Sequence, residues 1–147
     1  MKVIFGDRIQ GLDYQRRIGV YAVIFHHEID KVMTVRNESG HYFLPGGGIE
    51  ESESQVDCLR RELIEETGYL VSIDSYIGNA MSYFHSRKGE PLLSDAYFYL
   101  VELKEKVQEQ CDHVTEWVDV EDVKRLLFHE HHDWAVNKAY VNHLKMT

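Results

Sequence analysis

The sequence predicts an α/β fold in which a mixed β-sheet is covered on both faces by helices. Two observations carry that expectation. Runs rich in β-branched and aromatic residues alternate along the chain with segments of helical period, the pattern of a sheet layered between helices. The run Gly19-Val20-Tyr21-Ala22-Val23-Ile24-Phe25 reads as a well-buried strand, which such a layered sheet requires. A chain of 147 residues has the length of one domain, residues 1–147, and enough apolar content for one core.

In order along the chain, the strand at 19–25 is followed by a polar turn, His26-His27-Glu28-Ile29-Asp30, and residues 31–36 read as its partner. Asn37-Glu38-Ser39-Gly40 is a second turn leading to a third strand at 41–44, so that the three form a short β-meander. Pro45 and the three glycines after it stop that strand and free the backbone to bend. Ser52 or Ser54 caps the helix that follows, and Gly68 suits the left-handed position that ends it. Residues 71–77 and 95–103 are strand candidates, the second strongly aromatic, and a short strand falls around Trp117 and Val118. Residues 120–127 and 134–144 read as helices, the latter with Ala135, Ala139, Tyr140 and Leu144 at helical spacing. The His-rich stretch 128–133 between them reads as a turn with a local cap and Trp134 as its anchor. No tetrahedral spacing there completes a zinc site.

Composition narrows the function classes. Sixteen Lys and Arg against 25 Asp and Glu give a net charge of −9, so a nucleic-acid duplex would be repelled. A small polyphosphate is still compatible, because divalent cations held by acids reverse the local sign. The apolar start of the chain is too short for a signal peptide, and Asp7 and Arg8 interrupt it. Cys58 and Cys111 fit neither a disulfide framework nor a zinc spacing, so each is expected to be a small buried hydrophobe in a reducing cytoplasm.

The chemistry concentrates in Gly47 to Tyr69, GGIEESESQVDCLRRELIEETGY. On an ideal helix Glu65 lies near −60° and Glu66 near +40° from Glu62, so three carboxylates share one face. Like charges at these spacings cost roughly 0.2–0.5 kcal/mol per pair, which a helix selected for stability alone would avoid. Leu59, Leu63 and Val56 fall near +60°, +100° and +120°, so the acids flank the buried stripe where the helix meets the fold. Carboxylates clustered there suit a hard cation.

The segment fits G-x5-E-x7-R-E-U-x-E-E-x-G-U, with U bulky and apolar, and so resembles the Nudix box of the MutT-like hydrolases. Tyr69 takes the place of the usual aliphatic residue, and Leu44-Pro45-Gly46 resembles the family's entry into the loop. The resemblance implies an α/β/α sandwich that hydrolyses a nucleoside diphosphate linked to another moiety, using Mg2+ or Mn2+. By position it implies metal ligands at Glu62, Glu65 and Glu66, with the Gly46 carbonyl as an additional one. It gives Gly47, Glu53 and Gly68 structural places in the box, with Glu53 pairing to Arg61. In some members the residue at Arg61 also orients a catalytic Glu.

The general base is expected at Glu62 or Glu65, or on a later loop, where the acids are Glu102, Glu105, Glu109, Asp112 and Glu116. Arg16, Arg17, Arg87 and Lys88 are candidate phosphate contacts. Tyr83, Phe84, Tyr97 and Tyr99 are candidates to stack on a base, with core packing expected for Phe98 or for the Tyr97/Tyr99 pair. The expected substrate is a nucleoside triphosphate, ordinary or oxidised, followed by dinucleoside polyphosphates and nucleotide sugars. A nucleotide sensor without turnover and an acidic docking helix are the rival readings, and the resemblance also admits a homodimer.

Overall fold

The computed structural model describes residues 2–111 and 113–145, the side chains of residues 144 and 145 excepted. The late acid Asp112 and the Leu144 side chain therefore lie outside the described residues. The strands are β1 (Val3–Phe5), β2 (Gln15–Val23), β3 (Lys31–Arg36), β4 (Tyr42–Phe43), β5 (Gly46–Gly48), β6 (Tyr69–His85), β7 (Pro91–Lys106) and β8 (Val114–Asp119). The helices are α1 (Gln55–Thr67), α2 (Val123–Leu126) and α3 (Glu130–Lys145).

A five-stranded mixed sheet, in the order β1-β6-β7-β2-β5, forms the frame. β6 and β7 are an antiparallel hairpin, β2 runs parallel to β7, β1 runs parallel to β6, and β5 closes the far edge antiparallel to β2. Alternate side chains of β2 then serve opposite cores. Val20, Ala22 and Ile24 pack with Leu59 and Leu63 of α1, together with Val71 and Val101. Val23 packs with Ala80, Ala96 and Phe98 beneath Ala135, Val136 and Ala139 of α3. Helices thus cover both faces, as the buried run at 19–25 predicts.

The meander is corrected. Lys31–Arg36 joins a separate antiparallel sheet, β4-β3-β8, and touches the end of β2 only through the Phe25–Val32 bridge and bonds such as Met33 N–H to the Ile24 carbonyl at 2.9 Å. β2 has both edges occupied by β7 and β5, so β3 has to diverge. The glycines expected to end a strand instead form one: Gly46–Gly48 pairs with Gly19–Tyr21. The 120–127 helix is a 3-10 turn (Val120–Asp122) followed by the single turn of α2. α3 begins four residues before Trp134 and absorbs the His-rich stretch, because the rings of His131 and His132 are fully buried beside Phe98. No helix among the described residues is long and apolar enough to cross a membrane.

Candidate active site

The acid-bearing helix is fixed at both ends. Ser54, rather than Ser52, is the cap: its hydroxyl accepts the Asp57 N–H at 3.1 Å. Gly68 closes the helix in the left-handed region (φ 80), its N–H donating to the Leu63 and Ile64 carbonyls. Between them, Leu59, Leu63 and Glu66 are buried while Glu65 stays half-exposed.

Arg61 joins the loop to the helix. Its Nε and Nη2 form a two-pronged pair with Glu53 at 2.6 and 3.0 Å, and Nη2 also reaches the Gly48 carbonyl at 3.2 Å. Its Nη1 donates to Glu62 Oε1 at 2.9 Å and, more loosely, to Glu65 Oε2 at 3.4 Å, with Glu50 at 3.8 Å. The bond from Arg61, helped by the Glu50 N–H, holds the Glu53 carboxyl down to about 2. Four carboxylates share this one guanidinium, which is itself held more firmly protonated by them.

Gly47 is glycine because of Glu62: a Cβ at that position would stand 2.5 Å from the Glu62 carboxyl carbon. Burial against the loop pushes the Glu62 pKa up, with the bond from Arg61 opposing that shift. Glu66 turns inward, where the Gly46 N–H donates to Oε1 at 2.7 Å and His113 Nδ1 stands 3.7 Å from Oε2. Tyr21 fills the space beside the loop, and its hydroxyl is pushed up by burial, then by the charges of Glu66 and Glu62. Cys58 Sγ lies 3.7 and 3.6 Å from the Gly47 and Gly48 carbonyls, and burial pushes its thiol up to about 12. It is the buried hydrophobe the sequence suggests, whereas Cys111 is only half-buried.

Glu62, Glu65 and Glu66 do not converge on one point. Among the described residues, the one trio of acid, His or Cys ligand atoms within 4.8 Å of one another is His26, Glu28 and Asp30 in the turn after β2, and two of those three are exposed. The reason lies in the partners: Glu62 and Glu65 lean onto Arg61 while Glu66 is drawn inward. The donor chemistry nevertheless fits a hard cation, since several oxygens face a single positive group. The late acids Glu102 and Glu109 pair with Lys104 and Lys106 instead, Glu105 is exposed, and Glu116 sits on β8.

Of the substrate candidates, Arg16, Arg17 and Phe84 line a cleft of about 570 Å3 together with Tyr21, Gly48 and His129. Arg87 lines a different cavity with Arg36 and His113. Phe98 is the aromatic of β7 that enters the core, while Tyr99 lies on the α1 side and donates to Gln55 at 2.6 Å. Sequence reasoning missed Tyr21, His113, His129 and the buried Asp95, all placed by contacts between segments distant in the chain.

Comparison with known proteins follows the same lines. Residues 15–139 match the NUDIX domain family. The RNA pyrophosphohydrolase of Bartonella henselae is 37% identical over 83 residues, covering 50% of this chain and 46% of that protein. The m7GpppN-mRNA hydrolase of Saccharomyces cerevisiae is 26% identical over 120 residues, covering 78% of this chain and 12% of its own length. The matches thus span less than half the length of these curated relatives. Among solved structures, the MutT protein of Methanosarcina mazei superposes with a TM-score of 0.65 at 19% identity, covering 92% of this chain and 99% of that one. An ADP-ribose pyrophosphatase from Streptococcus suis superposes at 0.61 and 19%, covering 89% and 92%. These likenesses show a shared fold. With the domain match spanning most of its length, the chain belongs to the NUDIX family.

Proposed function

We propose that the chain is a metal-dependent pyrophosphohydrolase that cleaves a phosphoanhydride bond in a nucleoside diphosphate linked to another group, with a nucleoside triphosphate, ordinary or oxidised, as first substrate. The observation that carries this reading is the gathering of Glu50, Glu53, Glu62 and Glu65 on one guanidinium, with Glu66 of the same helix accepting the N–H of the loop residue Gly46. That excess of negative charge is costly unless a cation joins it. Glu62, Glu65, Glu66 and the Gly46 carbonyl are the groups that would hold Mg2+ or Mn2+. Bound there, the ion would offset substrate charge and make the attacking water more acidic. Glu53 and Arg61 keep the glycine loop against α1. Arg61 also orients Glu62 and Glu65, the two carboxylates that serve as candidate proton acceptors from water.

A second reading takes the triphosphate to be the 5′ end of an RNA, and it is favoured by the likeness to RNA pyrophosphohydrolases. The net charge of −9 would confine the contact to the terminal phosphates.

Product analysis tests both. The panel is ordinary and 8-oxo nucleoside triphosphates, dinucleoside polyphosphates, ADP-ribose, nucleotide sugars and 5′-triphosphorylated RNA, each with Mg2+ or Mn2+. The expected result is one preferred substrate, with turnover reduced by about a hundredfold or more in Glu65→Gln. Magnesium-dependent binding without turnover on any compound would make the chain a sensor instead.

A further inference from the structure

Asp95 is a charged residue with no access to solvent, set in β7 next to the core residue Ala96. A buried carboxylate is strongly unfavourable unless it is paired and hydrogen-bonded, and an apolar residue would serve packing as well or better. Here the pairing is complete. Asn79 Nδ2 donates to Oδ1 at 2.7 Å and also to the Ala96 carbonyl at 2.9 Å, which fixes the amide. Oδ2 accepts both Nε and Nη2 of Arg16, Nε at 2.8 Å. The Arg16 side chain is 55% exposed, so one guanidinium joins a fully buried anion to the solvent at the cleft.

We propose that Arg16 is the anion grip of this cleft, taking the phosphate chain of the substrate, and that Asp95 and Asn79 are the positioning residues that aim it. The inference rests on the polyphosphate reading above. With Nε and Nη2 committed to Asp95, Nη1 makes no hydrogen bond among the described residues and can meet an incoming phosphate oxygen. Strand alternation places Arg16 on the face of β2 that carries Val20 and packs beneath α1, the side of the acids, while Tyr21, Ser94 and His129 line the cleft from the α3 side, so the grip borders the cleft at the sheet edge. It stands three residues before Gly19, which pairs with Gly48 of the box loop, a span of about 10 Å along the strand. Arg17, by contrast, has a single loose bond from Nη2 to Gln15 at 3.4 Å and is not oriented by any buried group. A held guanidinium loses less freedom on meeting its ligand than a free one, which is what preorganisation contributes.

The probe is inorganic tripolyphosphate, titrated calorimetrically in Mg2+ buffer, so that no turnover is needed. Arg16→Gln alone would strand a buried charge, so the decisive variant is the double Arg16→Gln/Asp95→Asn, with its melting temperature measured alongside. The expected result is a folded double variant that binds at least about tenfold more weakly than wild type. Asp95→Asn alone, which keeps the arginine but loosens it, should show an intermediate loss and a raised KM with kcat nearly unchanged. Equal tripolyphosphate affinity in wild type and folded double variant would overturn the proposal. If the wild type binds tripolyphosphate through Arg16 yet hydrolyses nothing, the hydrolase reading fails and the grip stands.

Discussion

At the scale of a single residue, Gly47 is the position where the loop bears directly on an acid. A methyl group there would lie 2.5 Å from the Glu62 carboxyl carbon and 2.7 Å from both its oxygens. The obstructed atoms are the end of a flexible side chain, so Gly47→Ala should leave the melting temperature within about 2 °C of wild type, an effect below about 0.5 kcal/mol. The carboxylate has to move, however, and displacement of an acid by about 1 Å can lower turnover by about a hundredfold. Steady-state kinetics beside a thermal melt checks this; a large drop in melting temperature with normal turnover would contradict it. The Glu53–Arg61 pair was legible only through the resemblance to the Nudix box, which fixes both residues within one loop and helix. The contact of His113 with Glu66 and that of Arg16 with Asp95 were not, since they join residues 47 and 79 positions apart with no local pattern to mark them.

Among the elements, α1 followed most closely from local rules: cap, stripe and terminal glycine all lie within its own sequence. Ser54→Ala removes the acceptor for the Asp57 N–H and should cost about 1 kcal/mol in a denaturation experiment. Gly68→Ala should cost more, because its φ of 80 is disfavoured for alanine and the added Cβ would meet the Gln108 carbonyl oxygen at 2.1 Å. A ranking with Ser54→Ala the more damaging would show that the helix end is not held by this contact. The strands obeyed local rules less well. Gly46–Gly48 carries none of the β-branched or aromatic residues that mark a strand, and forms one only because β2 offers a free edge where side chains would collide. β6 and β7 extend well past 71–77 and 95–103, since pairing with each other stabilises ends such as Ser82, His85, Pro91 and Ser94 that have little strand signature alone. The His-rich start of α3 looked like a turn because its polarity hid the burial that tertiary packing imposes.

That burial governs how the whole molecule should respond to acid. His129, His131 and His132 lie where α3 crosses the sheet, with ring centroids 4.8 to 5.2 Å apart. His132 Nδ1 accepts the Leu44 N–H at 3.1 Å and so must be unprotonated there, while His131 Nε2 pairs with Ser94 at 2.9 Å. Burial, and then the neighbouring imidazoles for His131 and His132, lowers all three: His129 to about 4, His131 to about 3, and His132 well below the ordinary value. In the unfolded chain the same rings titrate near 6.5, so between that value and about 4 the unfolded state binds more protons than the native one. Stability should therefore be level above pH 7 and decline as pH falls through 6.5, by up to about 1.4 kcal/mol per pH unit for each ring. Glu53 adds to the loss only lower down, between about 4.5 and its folded value of about 2, because its carboxylate form is the one held by Arg61. Glu62 and Asp133, raised by burial, run the other way and soften the lower part of the curve. Urea midpoints measured at pH 8, 7, 6 and 5 should show the decline beginning below 7. A midpoint that holds constant down to pH 5 would mean that these rings take up protons in the native state, against the burial seen here.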